Sequence, residues 1–430
     1  MSVSRDRAYR TLRHRDFRLL WAAGGISSAG TQIQQVAVAW QVFELSRNPV
    51  ALGGLGLARF VPILVFGLAG GVLADRHDRR RTLLAAQAAL GTVSALFALL
   101  TFAGRITVPV IYLLTMVAAV FAAVAGPTRQ ALIPSLVPDE ELAGAMSMSI
   151  LAGNAATVAG PALGGLIIGF AGTGLAYAID AASFALVGIT VLLLHARPVL
   201  ARQTASGWAA ALEGLRFLRG SPALLGVMAL DFVATFFGAS TVLMPLFATE
   251  VLKTGPTGLG VLLAAPAAGA LLGGSAMAAA RIPDRPGLGI VGAVVGYGLC
   301  LLGFGLSVNL WLSLALLAGS GAADAVSMAM RHTLRNLLTP DELRGRIAAA
   351  HSTFAMGGPQ LGEFESGLVA ARFGAPLAVA AGGLLAVVGA LATAWLVPSI
   401  TAFRVSGVHR PGVPVAPADD AAPAPSGAHD

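Results

Sequence analysis

Long apolar stretches recur along the chain, and short polar segments separate them. An α-helix needs about 20 mostly apolar residues to cross the hydrocarbon core of a bilayer, and these stretches reach that length. The pattern predicts twelve transmembrane helices, at residues 17–43, 50–74, 82–104, 106–127, 144–170, 173–195, 222–250, 257–280, 287–306, 309–330, 346–371 and 374–398. It leaves an N-terminal stretch (1–16), a central connection (196–221) and a tail (399–430) that we predict to be disordered.

The composition supports a membrane protein and argues against a soluble one. Of the 430 residues, 56% are hydrophobic and only 11% are charged, whereas soluble proteins carry about 25% charged residues. The single cysteine, Cys300, excludes a disulfide framework and a multi-cysteine metal site, and no histidine pair has a metal-ligand spacing such as HExxH. We therefore expect an all-α membrane protein without a metal or cofactor.

The distribution of Lys and Arg predicts the orientation, because cytoplasmic loops carry an excess of these residues. If the N-terminus is inside, 23 of the 28 lie in segments on that side or at the span ends next to them, four lie in loops on the other side, and Arg59 lies deep within a span. This asymmetry predicts a multi-pass protein of the cell (inner) membrane with both termini in the cytoplasm. It also accounts for the net charge of +7 as a topology signal, so we expect no nucleic-acid binding.

Two internal sequence repeats divide the spans into halves. The segment from Arg129 to Glu140 resembles the segment from Arg331 to Glu342, at an offset of 202 residues. The sequence around Gly160-Pro161-x-x-Gly164-Gly165 resembles that around Gly358-Pro359, at an offset of 198. Repeats in this order predict two parallel six-helix halves, residues 17–195 and 222–398, with a substrate path between them near the midplane.

The loop between spans 2 and 3 carries the clearest motif. It combines Gly71, Asp75 and Arg76 with a run from Asp78 through Arg79, Arg80 and Arg81. This loop resembles the signature loop of the major facilitator superfamily, although many members have glycine where this chain has Asp78. With Gln34-Gln35 in span 1 and Thr339 to Arg346 after span 10, it resembles the branch that contains the enterobactin exporter and macrolide-efflux-like proteins.

The resemblance implies a latch at the cytoplasmic side. A pair formed by Asp75 and Arg129 holds the halves together in the outward-facing state of such transporters, while Gly71 permits close helix approach. The other arginines, among them Arg76, Arg79 and Arg80, are equally explained as residues that keep the loop inside. Span 5 resembles the motif of antiporter members, except that Ala156 stands where the pattern has glycine. A bend and a close-packing face both explain its proline and glycines.

Charged residues within spans are the candidates for chemistry, since each is expensive against lipid. Asp231 and Glu363 lie near mid-membrane and are our candidates for proton carriers, because a partly buried carboxyl can exchange protons near neutral pH. Arg59 is our candidate for binding anionic substrate groups or for balancing one of these acids. Asp324 and Arg331, two turns apart, are expected to form a structural ion network. Fixed internal ion pairs would explain all of these residues equally well.

Neutral polar residues within the spans suggest a lined cavity. Gln34 and Gln41 are two turns apart in span 1, and Asn154 lies in span 5. They are candidates for the substrate cavity, and bonding between neighbouring helices is an equal alternative.

These observations favour a secondary transporter over an enzyme. The chain has no Walker A loop and no constellation of a nucleophile with its base, so we expect no catalytic residue. The expected function is export of a small molecule, a drug-like compound or a siderophore-like metabolite, by proton antiport with alternating access. Import by the same fold, or a non-transporting sensor or accessory role, remains the alternative. The expected partners are the substrate, protons and the lipid bilayer, and we expect a monomer.

Overall fold

The computed structural model describes residues 10–76, 78–195, 220–280, 283–339 and 344–404. Within these ranges, residues 63, 66–76, 344–346, 348–350 and 352–356 are described by their backbone alone. The described chain is helical and without strands, and it forms the twelve expected spans. They are α1 (Arg15–Ser46), α2 (Pro49–Arg76), α3 (Arg79–Phe102), α4 (Val108–Leu132), α5 (142–171), α6 (173–193), α7 (Pro222–Phe237), α8 (Gly255–Ala279), α9 (Pro286–Leu306), α10 (Leu310–Leu338), α11 (Arg344–Phe373) and α12 (Ala375–Leu396).

The turn between α5 and α6 contains no loop at all. The two spans form one helical run, Leu142–Leu193, which changes direction at Gly172. Gly172 has φ 78° and ψ 173°, in a region that is open to glycine and costly for a residue with a Cβ atom. One glycine therefore separates the two predicted spans.

The seventh span differs from the prediction of one continuous helix over 222–250. α7 ends at Phe237, and the chain continues through a tight turn at Thr241–Leu243 and a wide turn at Phe247–Val251. The carbonyl groups freed at the break are bonded: Gly238 accepts from the Tyr297 hydroxyl (3.2 Å) and Ala239 from Ser366 (2.9 Å). Irregular backbone is tolerated at membrane depth when protein groups satisfy it in this way.

The C-terminal tail begins later than predicted. Residues Pro398–Ala402 form a short helix whose Ile400 is fully buried against glycines of α7 and α9. The expectation of disorder from residue 399 is therefore wrong for this turn, because an isoleucine among polar and small residues gives no apolar period to detect. The rest of the tail (405–430), the central connection (196–219) and residues 1–9 lie outside the described residues.

The packing separates the molecule into two ends. The end with the termini and the arginine-rich loops is called the basic end here, and the other is called the opposite end. At the basic end, the buried apolar residues form two clusters, one within α1–α6 and one within α7–α12. At the opposite end they form a single cluster to which both halves contribute, including Phe43 and Leu52 from one half and Phe247 and Phe304 from the other. Among the described residues, the apolar clusters therefore join the halves at the opposite end and stay within each half at the basic end.

By length and hydropathy, eight helical stretches of the described chain could cross a membrane, one of them covering both α5 and α6. Of the three remaining helices, α2 enters only as the shorter apolar stretch Pro49–Pro62. The helices α1 and α11 carry more polar side chains, including glutamines, glutamates and a histidine. Polar residues in a span are expected to face protein or water rather than lipid.

Candidate functional site

Two helix crossings close the opposite end: α2 with α11, and α5 with α8. Among the described glycines, those that pack against the other half all belong to these four helices, for example Gly53 on Gly367 and Gly165 on Gly260. The one nearest the basic end is Gly357, which packs on Phe60. Beyond these contacts, toward the basic end, no apolar cluster of the described residues bridges the halves, and the space between them there is the candidate cleft. In this fold a cleft at the interface of the halves is where substrate binds.

An ion pair lies at mid-membrane within the α2–α11 crossing. Arg59 Nη1 of α2 is 3.5 Å from Glu363 Oε2 of α11, with side chains 23% and 11% exposed. Each residue is ten positions from the opposite end of its helix, which corresponds to a depth of about 15 Å. Of the two roles considered for Arg59, the structure therefore favours balancing an acid, and the acid is Glu363 of the other half.

A second ionic cluster lies within the C-terminal half. Arg331 Nη2 is 3.1 Å from Asp231 Oδ1 and 3.3 Å from Asp324 Oδ1. The other oxygen of Asp231 is 3.1 Å from Nε2 of His351. The structure therefore joins the expected network of Asp324 and Arg331 to the proton-carrier candidate Asp231, and it adds a histidine that sequence reasoning did not select.

One member of the cluster is partly exposed. The side chain of Arg331 is 6% exposed, whereas that of Asp324 is 44% exposed. A second imidazole, that of His332, lies 6.0 Å from the ring of His351. The signal for His351 was its position five residues inside predicted span 11, where an ionisable side chain is unusual.

The glutamine candidates of α1 lie between helices. Gln41 is 5% exposed, accepts from Tyr177 (2.8 Å) and donates to Thr101 (3.2 Å). Gln34 donates to Ser94 (2.8 Å), and Ser94 in turn donates to the buried carboxylate of Asp180 (2.7 Å). These contacts favour the alternative that both glutamines connect neighbouring helices.

Asn154 is placed differently from the glutamines. It is exposed, and it lies seven residues before Pro161 and eleven before Gly165, on the stripe of α5 that contacts α8 nearer the opposite end. Residues at these spacings share one helix face. Asn154 therefore faces the gap between the halves and keeps its place as a cleft-lining candidate.

The arginines after α2 tie helix ends together at the basic end. Asp78 caps α3 by accepting from backbone N–H groups of its first turn. The guanidinium of Arg79 donates to the carbonyl of Ala131 (2.9 Å), and that of Arg80 donates to the carbonyl of Leu192 (2.7 Å). Cations at the C-terminal ends of α4 and α6 are stabilised by the helix dipole.

Arg129, the expected latch residue, contacts α1. Its guanidinium is largely buried in the N-terminal half and donates to the carbonyl of Gly24 (3.2 Å). The side chains of its motif partners lie outside the described residues: Gly71, Asp75 and Arg76. The pairing of Asp75 with Arg129 therefore stays a prediction.

The glycines of the motif Gly160-Pro161-x-x-Gly164-Gly165 in α5 pack against two different helices. Gly160 and Gly164 face α1, where an added Cβ would lie 2.5 Å from the side chain of Gln32 and 3.2 Å from Cα of Ile33. Gly165 instead faces α8 of the other half. The close-packing interpretation of this motif is therefore the one that the contacts favour.

The corresponding motif in α11 is also a packing surface. A Cβ at Gly358, which precedes Pro359, would lie 3.0 Å from the hydroxyl of Thr235 in α7. Gly362, one turn further along, packs on the carbonyl of Phe236. This face binds α11 to its own half, while Glu363 and Gly367 face α2.

Comparison with known proteins places this architecture in a family. Residues 7–417 match the model of a family described as transmembrane secretion effector. The enterobactin exporter EntS of Escherichia coli O1:K1 / APEC is 29% identical over 338 residues, which are 78% of this chain and 80% of the relative. EntS of Shigella boydii serotype 4 is 30% identical over 339 residues, with the same coverage of both chains.

Solved structures show the same fold. A bacterial homologue of the human lysosomal transporter Spinster, in an inward-facing and unoccupied conformation, gives a TM-score of 0.73 at 15% identity and covers 90% of this chain and 97% of its own. A bacterial homologue of the iron transporter ferroportin in the inward-facing state gives 0.68 at 16% identity, covering 88% and 98%. Together with the two six-helix halves and the cleft between them, these matches show that the chain belongs to the transmembrane secretion effector family of major facilitator transporters.

Proposed function

We propose that this transporter is a secondary exporter of a small molecule, driven by proton antiport through alternating access. The observation that carries the proposal is the cleft between the halves, closed at one end and bordered by ionisable side chains at mid-membrane. The positive-inside rule puts the basic end in the cytoplasm, so the cleft described here faces the cytoplasm. A cargo would enter there and leave after the halves rock to open the opposite end.

The ionic cluster of the C-terminal half supports proton coupling. Asp231 and Asp324 share a single guanidinium, so the cluster carries one net negative charge when His351 is neutral and none when it is protonated. An imidazole can serve as a proton shuttle. His351 therefore joins Asp231 and Glu363 as a proton-coupling candidate.

The energy available to one proton is sufficient for efflux. A membrane potential supplies about 2.3 kcal/mol per charge per 100 mV. One proton at about 150 mV would thus sustain a substrate gradient of roughly 300-fold. The relatives named as enterobactin exporters support the direction of transport and a siderophore-like cargo, and a drug-like compound is the alternative cargo.

The test uses everted membrane vesicles of Escherichia coli that contain the protein, energised by respiration. Enterobactin and a panel of lipophilic drugs are the probes, and a pH-sensitive fluorescent dye reports proton movement. We expect uptake of at least one probe, accompanied by proton release from the vesicles and abolished by a protonophore. Uptake that persists at the wild-type rate with a protonophore would exclude proton antiport.

Variants separate coupling from binding. Asp231→Asn and Glu363→Gln should each lose the proton movement, whereas Glu365→Gln, two residues along the same helix, should keep it. Wild-type rates and pH dependence in both test variants would refute their role as proton carriers. An importer would instead accumulate the probes in right-side-out vesicles, and a sensor would bind them without flux.

A further inference from the structure

The two crossings that close the opposite end are related by the internal repeat. In the first, a Cβ at Gly165 would meet the carbonyl of Pro256 at 2.6 Å and Cα of Gly260 at 2.7 Å. In the second, a Cβ at Gly367 would meet the carbonyl of Pro49 at 2.7 Å and Cα of Gly53 at 2.8 Å. The same glycine-on-glycine contact therefore occurs twice, with α5 on α8 and with α11 on α2.

One turn deeper, the two crossings differ. Four residues before Gly165 stands Pro161, and four residues before Gly367 stands Glu363. On the partner helices, Pro266 and Arg59 each lie ten residues after the equivalent prolines, Pro256 and Pro49. An uncharged pair of prolines in one crossing thus corresponds to an ion pair in the other, so packing at this depth does not require charge.

Among the described residues, the contact between Arg59 and Glu363 is the only ion pair that joins the two halves, since the other ion pairs recorded each lie within one half. It is confined by backbone, because a Cβ added at Gly56, one turn before Arg59, would meet the carbonyl of Gln360 and lie 2.9 Å from Cβ of Glu363. The Oε2 atom of Glu363 has no hydrogen-bond donor among the described residues and is buried. The guanidinium is therefore the group that balances this carboxylate in the closed crossing.

We propose that Arg59 and Glu363 form a latch that holds the opposite end closed, and that a proton opens it by binding to Glu363. The ionised carboxylate needs the guanidinium while both are buried between the halves, since an unpaired buried charge is strongly destabilising. The neutral acid loses this attraction, so the crossing can separate. An empty, deprotonated carrier is thereby kept from reorienting, which would prevent loss of the proton gradient without export. In the export step, an anionic cargo group that binds Arg59 in place of Glu363 would open the latch without a proton.

The surroundings of Glu363 leave the latch as the dominant electrostatic contact. The charged side chain of α2 in contact with Glu363 is Arg59, and α12 and the turn Thr241–Leu243 contain no ionisable residue. The ionisable residue of α7 is Asp231, which contacts α11 about three turns nearer the basic end, at His351. Asp231 is already engaged by Arg331 and His351. On α11 itself, Glu365 lies two residues away and forms no ion pair with a described residue. The role of the proton rests on the proposed antiport, whereas the latch itself does not.

The experiment measures the opening of the opposite end without any substrate. Spin labels are attached at Arg105→Cys and Val308→Cys in a Cys300→Ser background, because these exposed loop positions lie at the opposite end of different halves and away from the latch. Double electron–electron resonance on purified protein in nanodiscs, at pH 8 and pH 5.5, gives the populations of closed and open forms. We expect the wild type to be closed at pH 8 and to shift toward the open form at pH 5.5.

Latch variants give the decisive comparison. Arg59→Gln and Glu363→Gln should each raise the open-to-closed ratio at pH 8 about tenfold, and Glu363→Gln should remove its pH dependence. The matched control Glu365→Gln should behave as the wild type. Reversing both charges, with Arg59→Glu and Glu363→Arg, should restore closure at pH 8, which a merely misfolded single variant would not predict.

Each outcome decides the proposal. Wild-type populations at pH 8 in either single variant, or a charge-reversed protein as open as the single variants, would overturn the latch. Closure that depends on the pair but not on pH would overturn the role of the proton. If the spin-label results are as expected but vesicles show no proton-linked flux, the proposed antiport is refuted and the latch stands.

Discussion

The contact of Gly165 with Gly260 sets the distance between the halves at the α5–α8 crossing. A Cβ at Gly165 would lie 2.7 Å from Cα of Gly260, whereas nonbonded carbon atoms pack at about 3.5–4.0 Å. Gly165→Ala therefore requires the helices to move apart by roughly 0.8–1.3 Å. The obstructing atoms belong to the backbone, so no side chain can rotate to make room.

This displacement has a cost only in the conformation described here. Overpacking of a closed interface typically costs about 1–3 kcal/mol. Once the opposite end opens, α5 and α8 separate and the added methyl group has space. The substitution should therefore favour the open form by about 5- to 150-fold, since a free-energy difference of about 1–3 kcal/mol corresponds to that range.

The spin-label pair at Arg105 and Val308 measures this shift at constant pH. The matched control is Gly153→Ala in the same helix, because a Cβ at Gly153 meets nothing within 4 Å. We expect the control to keep the wild-type distance distribution and Gly165→Ala to gain the longer distance. Identical distributions in the two variants would refute the reasoning that this glycine contact holds the halves together.

Three further substitutions test the polar contacts. Tyr177→Phe removes the hydroxyl that donates to buried Gln41 and should lower the free energy of unfolding by about 1–2 kcal/mol, seen as a lower melting temperature in detergent; an unchanged melting temperature would contradict this. Arg331→Gln leaves its two carboxylates without a shared cation and should destabilise by about 3–5 kcal/mol, with partial recovery on adding Asp231→Asn; no recovery would argue against the ion network. His351→Gln should flatten the pH dependence of vesicle uptake between pH 5 and 8 while folding is retained, and an unaltered profile would exclude it as a proton carrier.

The spans were predictable from sequence because each is a long apolar run between polar loops. The break after Phe237 was not, since the groups that satisfy its backbone, Tyr297 and Ser366, are distant in sequence and leave no local signal. The two halves were predictable from the internal repeats, but the positions at which their helices contact each other were not. The Gly-Pro repeat has an offset of 198, whereas Gly165 and Gly367 make equivalent contacts at an offset of 202.

The membrane depth of the site residues was predictable from the sequence, but the contacts of their side chains were not. Counting residues along a helix placed Asp231, Glu363 and Arg59 near mid-membrane, because the rise per residue is constant. The neighbour that each side chain contacts depends on the rotation of its helix and on the packing between the halves. Neither can be deduced from a single sequence. For this reason the pairing of Arg59 with Glu363, and the addition of His351 to the Asp231 cluster, required the structure.

The shared apolar cluster at the opposite end has a consequence for biogenesis. When the first six spans have entered the membrane, Phe43 and Leu52 still lack the partners that Phe247 and Phe304 provide from the second half. The first half can complete its own cluster at the basic end at that stage, but it carries an unfinished surface at the other end. Quality-control proteases would therefore recognise an orphaned first half by that end, and two halves synthesised as separate chains should protect each other from degradation.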